Sequence, residues 1–125
     1  MKDIEDVFEI RLMLETSIVK KLQSHPELVS REKIGQLDSL TTQMSDPALS
    51  DCEFMSLDQD FHSVIYAFTN NPRLVAIFEQ SEYVIRRIGL RVLHVRSRRQ
   101  EVVHEHRQII QGLQNGTAVD AVTDH

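Results

Sequence analysis

Apolar residues recur along this chain every three or four positions and nowhere alternate as a half-buried strand would. Placed at about 100° per residue, Ile4, Val7, Phe8, Leu14, Ile18, Val19 and Leu22 gather on one arc. They predict a helix from about Asp3 to Ser24, ended by His25-Pro26, because a residue before proline is pushed out of the helical region. A second helix starts near Ser30, carries Ile34, Leu37, Leu40 and Met44 on one side, and closes at Asp46-Pro47. Ser50 and Glu53 form a capping-box pattern for a third helix that runs to about Thr69. Asn71-Pro72 reads as an N-cap followed by proline in the first helical position.

The fourth segment runs from Pro72 to about Arg96, with Gly89 as a kink. Its inner arc carries Leu74, Ile77, Phe78, Val84, Ile85, Ile88, Val92 and Val95. Another helix covers about Gln100 to Gln114, and Asn115-Gly116 stops it in the manner of a left-handed C-cap. Thr117 then caps a last helix from Ala118. Short loops between such segments predict an all-α fold, an antiparallel bundle of about six helices. With no linker or low-complexity tract, residues 1–125 read as a single domain.

Composition agrees. Hydrophobic residues make up 41% and charged ones 26%, the balance of a globular domain and not of a disordered tail. The net charge of −5 argues against a domain that grips nucleic acid by its phosphates. The single cysteine, Cys52, forms no internal disulfide, which fits a reducing cytoplasm. No signal-peptide pattern opens the chain and no apolar run is long enough to span a membrane, so no membrane partner is expected.

Candidate chemistry comes from polar residues that fall on apolar arcs. On the third helix Phe54, Leu57, Phe61, Val64, Ile65 and Phe68 form the arc, extended by Met55 and Tyr66. Asp58 and His62 lie between those groups, stacked one turn apart. Alone they read sooner as a helix-surface ion pair worth roughly 0.2–0.5 kcal/mol than as part of a site. His106, however, sits at the centre of the arc of Val102, Val103, Ile109, Ile110 and Leu113, while His104 points to the polar side. Two inward imidazoles and an inward carboxylate on two helices are the donor set of a divalent cation. His125 lies on the inner face set by Ala118, Ala121 and Val122 and is a fourth candidate ligand. Arg11 and Glu15, one turn apart inside the first arc, read either as a buried ion pair or as an arginine fork offered to a ligand carboxylate. Arg86, Arg87, Arg91, Arg96, Arg98 and Arg99 read as a solvated basic face or a contact with another domain.

Taken in order, these residues resemble a known family. Glu9-Ile10-Arg11 with Leu14-Glu15 resembles the opening E-x-R-x-x-L-E of the FadR C-terminal domain, or FCD. Asp58 to His62 resembles its central D-x-x-F-H, and Asn70-Asn71-Pro72-Arg73-Leu74 the asparagine-led turn that follows. His106 to Ile109 resembles its H-x-x-I, and Gly116 to Ala121 its G-D-x-x-x-A, with Thr117 in place of the aspartate. The resemblance implies the effector-binding and dimerising part of a GntR-family transcriptional regulator, a homodimer that holds a metal through one Asp and three His. Carried over by position, Asp58, His62 and His106 would be ligands and Arg11 an effector contact. The family's last histidine usually falls about one turn beyond His125.

The expectation is therefore a non-enzymatic sensor of a small carboxylate effector, with a divalent metal as cofactor. Zinc is the first choice, and nickel, iron and manganese suit the same donors. Nothing before Asp3 resembles a winged helix-turn-helix, so DNA would be reached only through an N-terminal domain that this chain lacks. The rivals are a metal-free sensor of a larger apolar ligand such as an acyl-CoA, a metal-dependent hydrolase with Glu15 as its only inner base, and a pure dimerisation module.

Overall fold

The computed structural model describes residues 2–88 and 98–115. These hold five α-helices: α1 Lys2–Ser24, α2 Arg31–Met44, α3 Asp51–Ala67, α4 Pro72–Ile88 and α5 Arg98–Asn115. A single 3₁₀ turn, Pro26–Leu28, joins α1 to α2. Gly89, the C-terminal stretch of the fourth segment, the helix expected from Ala118 and His125 lie outside the described residues. Among the described residues there is no strand, and no helix is long and apolar enough to cross a membrane.

Local chemistry sets the helix ends. His25 stops α1, and its Nδ1 hydrogen-bonds the Lys21 carbonyl at 3.0 Å. Ser30 caps α2 by accepting the Lys33 N–H at 3.2 Å. The expected capping box of α3 is complete: Glu53 N–H reaches Ser50 Oγ and Ser50 N–H reaches Glu53 Oε1, each at 3.1 Å. Helix α3 ends at Ala67, two residues before Thr69, because the Thr69 hydroxyl turns back to the Tyr66 carbonyl at 2.7 Å. Asn70 then takes a left-handed φ of 53°, a conformation asparagine tolerates better than most residues. Asn71 caps α4 through Oδ1, which accepts the Arg73 and Leu74 N–H groups at 3.0 and 3.4 Å.

Helix α2 packs on α3 and α5, α4 packs on α1 and α3, and α1 touches α3 and α5. Consecutive packed helices joined by short loops run antiparallel. The core is built from Ile18, Val19 and Leu22 of α1, Leu37 of α2, Phe61, Ile65 and Tyr66 of α3, Phe68 just after it, Phe78 of α4, and Ile109, Ile110 and Leu113 of α5. Among the described residues one expected inner residue is outside: Ile77 is 42% exposed. Helix α4 aims its buried face along Leu74, Val75 and Phe78, which leaves Ile77 about a quarter-turn away from Phe78.

Candidate metal centre

Three helices bring polar groups into one interior space beside this core. Helix α3 supplies Asp58 and His62, α5 supplies His106, and α1 supplies Arg11 and Glu15. Position decides their burial. His106 sits between the apolar turns of α5 and is fully buried, as Phe61 is on α3. Arg11 and Glu15 sit about two turns and one turn before Ile18 and Val19, and are 4% and 9% exposed.

Asp58 is the hub. Its Oδ1 accepts a hydrogen bond from His106 Nε2 at 2.7 Å, and His62 Nε2 lies 3.5 Å from the same oxygen. One donor atom from each of the three residues falls within a span of 4.8 Å. A surface ion pair does not describe this arrangement: the His106 side chain is 1% exposed, and those of His62 and Asp58 15% and 19%. The Phe61 ring stacks on His106 with centroids 3.8 Å apart and planes 13° from parallel, which fixes the plane of the imidazole.

The other face of His62 meets α1. Its Nδ1 donates to Glu15 Oε1. The second Glu15 oxygen, Oε2, lies 3.6 Å from Arg11 Nε. Arg11 Nη1 donates to Gln59 Oε1 at 3.3 Å, and its guanidinium carbon stands 5.1 Å from the Phe78 ring centroid. A continuous network thus runs from Gln59 through Arg11, Glu15, His62 and Asp58 to His106. The expected Arg11–Glu15 pair is present, but Glu15 also serves a histidine 47 positions away.

Charges follow the geometry. Burial works against an ionised Asp58, but the His62 charge and hydrogen bonds from His106 and His62 outweigh it and hold the carboxyl well below its usual range. Burial likewise opposes an ionised Glu15, yet His62 and then Arg11 keep its pKa lowered. For His62 burial disfavours the cation, while Glu15 and Asp58 together lift the pKa to about 9. With a proton on His62, the positive charges of Arg11 and His62 face the negative charges of Glu15 and Asp58, two against two. Burial also raises the pKa of Tyr66, whose hydroxyl lies against Arg11. Neither Tyr66 Oη nor Arg11 Nη2 completes a hydrogen bond of ordinary geometry among the described residues.

Of the residues singled out in the sequence, Asp58, His62 and His106 come together, Arg11 stands one residue further out behind Glu15, and His125 lies outside the described residues. His104 is exposed, as its phase predicts. Sequence reasoning missed Gln59, 2% exposed, although its helical phase with Met55 and Tyr66 carries that signal. It also missed the inward role of Arg99, which donates to the Leu49 carbonyl at 2.7 Å and pairs with Asp51 instead of serving a solvated face. A surface groove between the 3₁₀ turn, α2 and α5, lined by Val29, Ile34, Ile110 and Leu113, shares no residue with the cluster.

The donor chemistry suits a divalent cation: two imidazole nitrogens and one carboxylate oxygen converge in a space with its own charged partners behind them. Compared with known proteins, residues 6–124 match the FCD domain. No curated protein and no solved structure matches the chain. With a match over nearly its whole length, an all-α bundle, and its motif residues gathered into one interior cluster, the chain belongs to the FCD domain family, the effector-binding domains of GntR-type transcriptional regulators.

Proposed function

We propose that this domain senses a small organic acid at a divalent metal held by Asp58, His62 and His106, with His125 as candidate fourth ligand and Arg11 as the anchor for the acid. The observation that carries this reading is the convergence of one carboxylate oxygen of Asp58 with one nitrogen each of His62 and His106 inside 4.8 Å, in the interior of the bundle. When bound, the metal supplies a Lewis-acidic seat for an anionic oxygen. Zinc is the first choice for this donor set, and nickel, iron or manganese are the others.

Charge balance explains why the ligand is an acid. The cluster of Arg11, Glu15, His62 and Asp58 is neutral with a proton on His62. Exchanging that proton for a divalent cation leaves one excess positive charge, and an unbalanced buried charge is costly. A single carboxylate restores neutrality. Arg11 Nη2 and the Tyr66 hydroxyl, buried donors that make no hydrogen bond of ordinary geometry among the described residues, support this reading as anchors for its oxygens. An acid bound better in one arrangement of a homodimer shifts the population of that arrangement. In a cytoplasmic regulator this would reposition the DNA-binding domains. Nothing in this scheme turns over a substrate; the site binds.

The balance of the metal-free cluster favours one second reading, a purely structural polar core inside a dimerisation module. Elemental analysis of purified protein decides between them. Stoichiometric metal in the wild type, lost in His62→Ala and His106→Ala, is expected. Wild-type protein that carries no metal after preparation with zinc, nickel, iron and manganese supplied would sink the sensor reading and leave the structural one.

A further inference from the structure

We propose that Glu15 is the positioning residue of the centre: it holds the Nδ1 proton of His62 and so presents Nε2 to Asp58 and His106. The inference rests on the metal reading and adds to it a residue outside the ligand set. An imidazole has two nitrogens, and only the one without a proton binds metal. In His62 both face carboxylates. Nδ1 meets Glu15 Oε1, and Nε2 lies 3.5 Å from Asp58 Oδ1. Without Glu15 the nearest carboxylate to the ring is Asp58, which would draw the remaining proton to Nε2 and close the ligand atom. Glu15 reverses that preference.

The placement of Glu15 is itself well determined. It comes from α1, 47 residues before His62, so the contact is tertiary and not an accident of helix spacing. Each of its oxygens has its own partner, His62 for Oε1 and Arg11 for Oε2 at 3.6 Å. Arg11 in turn is held by Gln59 at 3.3 Å and by the Phe78 face. A carboxylate that takes the far N–H of a ligating histidine fixes both its tautomer and its orientation, and losing such a partner typically costs about 10–100-fold in metal affinity.

The test compares wild type, Glu15→Gln and Glu15→Ala for zinc affinity by competition with a chelator, and reads the His62 ring nitrogens by ¹⁵N NMR in the zinc-loaded wild type. The amide oxygen of Glu15→Gln still accepts the Nδ1 proton, so that variant is expected within a few-fold of wild type. Glu15→Ala is expected to lose about 10–100-fold. The NMR spectrum is expected to show Nδ1 protonated and Nε2 metal-bound. Unchanged affinity in Glu15→Ala, or zinc on Nδ1, would overturn the role of Glu15 while leaving the metal site standing. Wild-type protein that binds none of zinc, nickel, iron and manganese removes the metal reading and this one with it. The wild-type spectrum decides the tautomer even if Glu15→Ala fails to fold.

Discussion

The raised pKa of His62 makes a quantitative prediction about the domain stripped of metal. Glu15 and Asp58 overcome the cost of burial and lift the imidazole to about 9 in the folded protein, from an ordinary value of 6.5. A group whose pKa is raised by folding holds its proton more tightly in the native state, so it adds stability wherever the fold keeps it protonated and loses that stability as the proton leaves. The contribution is complete below about pH 6.5 and is lost as the pH rises through about 9. At about 1.4 kcal/mol per pKa unit, the loss amounts to roughly 3 kcal/mol, a large share of the 5–15 kcal/mol that holds a typical domain together. On the acid side Glu15 and Asp58 have lowered pKa values, so their contribution is present above their ordinary values of 4.5 and 3.8 and falls away below them. The metal-free domain should therefore be most stable in mildly acidic solution. Urea unfolding in the presence of a chelator, followed by circular dichroism at a series of pH values, measures this directly. The midpoint should fall steadily between about pH 6.5 and 9, and the fall should be largely absent in His62→Gln. A wild-type midpoint that stays level across that range, or an equal fall in His62→Gln, would refute the assignment of His62 as a buried cation between two carboxylates.

Three further outcomes are expected. Gly35 is exposed in the middle of α2, and a Cβ built there meets nothing within 4 Å; Gly35→Ala should therefore stabilise the domain by about 0.5–1 kcal/mol and raise Tm by a few degrees, and calorimetry showing a lower Tm would contradict it. Arg99 joins the start of α5 to Leu49, Asp51 and the Phe54 ring, 5.0 Å from its guanidinium; Arg99→Met should cost about 2 kcal/mol in urea unfolding, whereas an unchanged midpoint would mark the contact as idle. Phe61→Leu keeps an apolar side chain but removes the ring stacked on His106; it should lower stability by about 1 kcal/mol and weaken zinc binding with it, and zinc affinity equal to wild type would show that the stacking does not hold the ligand.

The parts of the fold legible in the sequence are those fixed by neighbours along the chain. Ser30, Ser50 with Glu53, and Asn71 with Pro72 announce helix starts because their hydrogen bonds close within three residues. The candidate ligands were legible for a related reason: helical phase alone puts Asp58, His62 and His106 on inner faces while it turns His104 outward. Phase does not say which inner groups meet. That Glu15 would choose His62 as well as Arg11, or that Gln59 would hold Arg11, depends on how α1 sits on α3. Ile77 shows the same limit, since its place at the rim of an arc left its exposure to be settled by the direction from which α1 and α3 approach α4.

The ionic chain from Arg11 to His106 also acts on assembly. Helix α1 offers α3 an apolar ridge that repeats with each turn, and sliding one helix along the other by about 5.4 Å would bring similar side chains into contact. Hydrophobic burial is nearly blind to such a slip. The polar chain is not: shifted by a turn, Glu15 no longer meets His62, and an enclosed carboxylate loses the cation that offsets its desolvation, at a cost of several kcal/mol. Because the links run from α1 to α3 and from α3 to α5, they fix the axial alignment of three helices at once. The interior polar cluster thus serves as the lock that selects one bundle from several that greasy packing alone would allow.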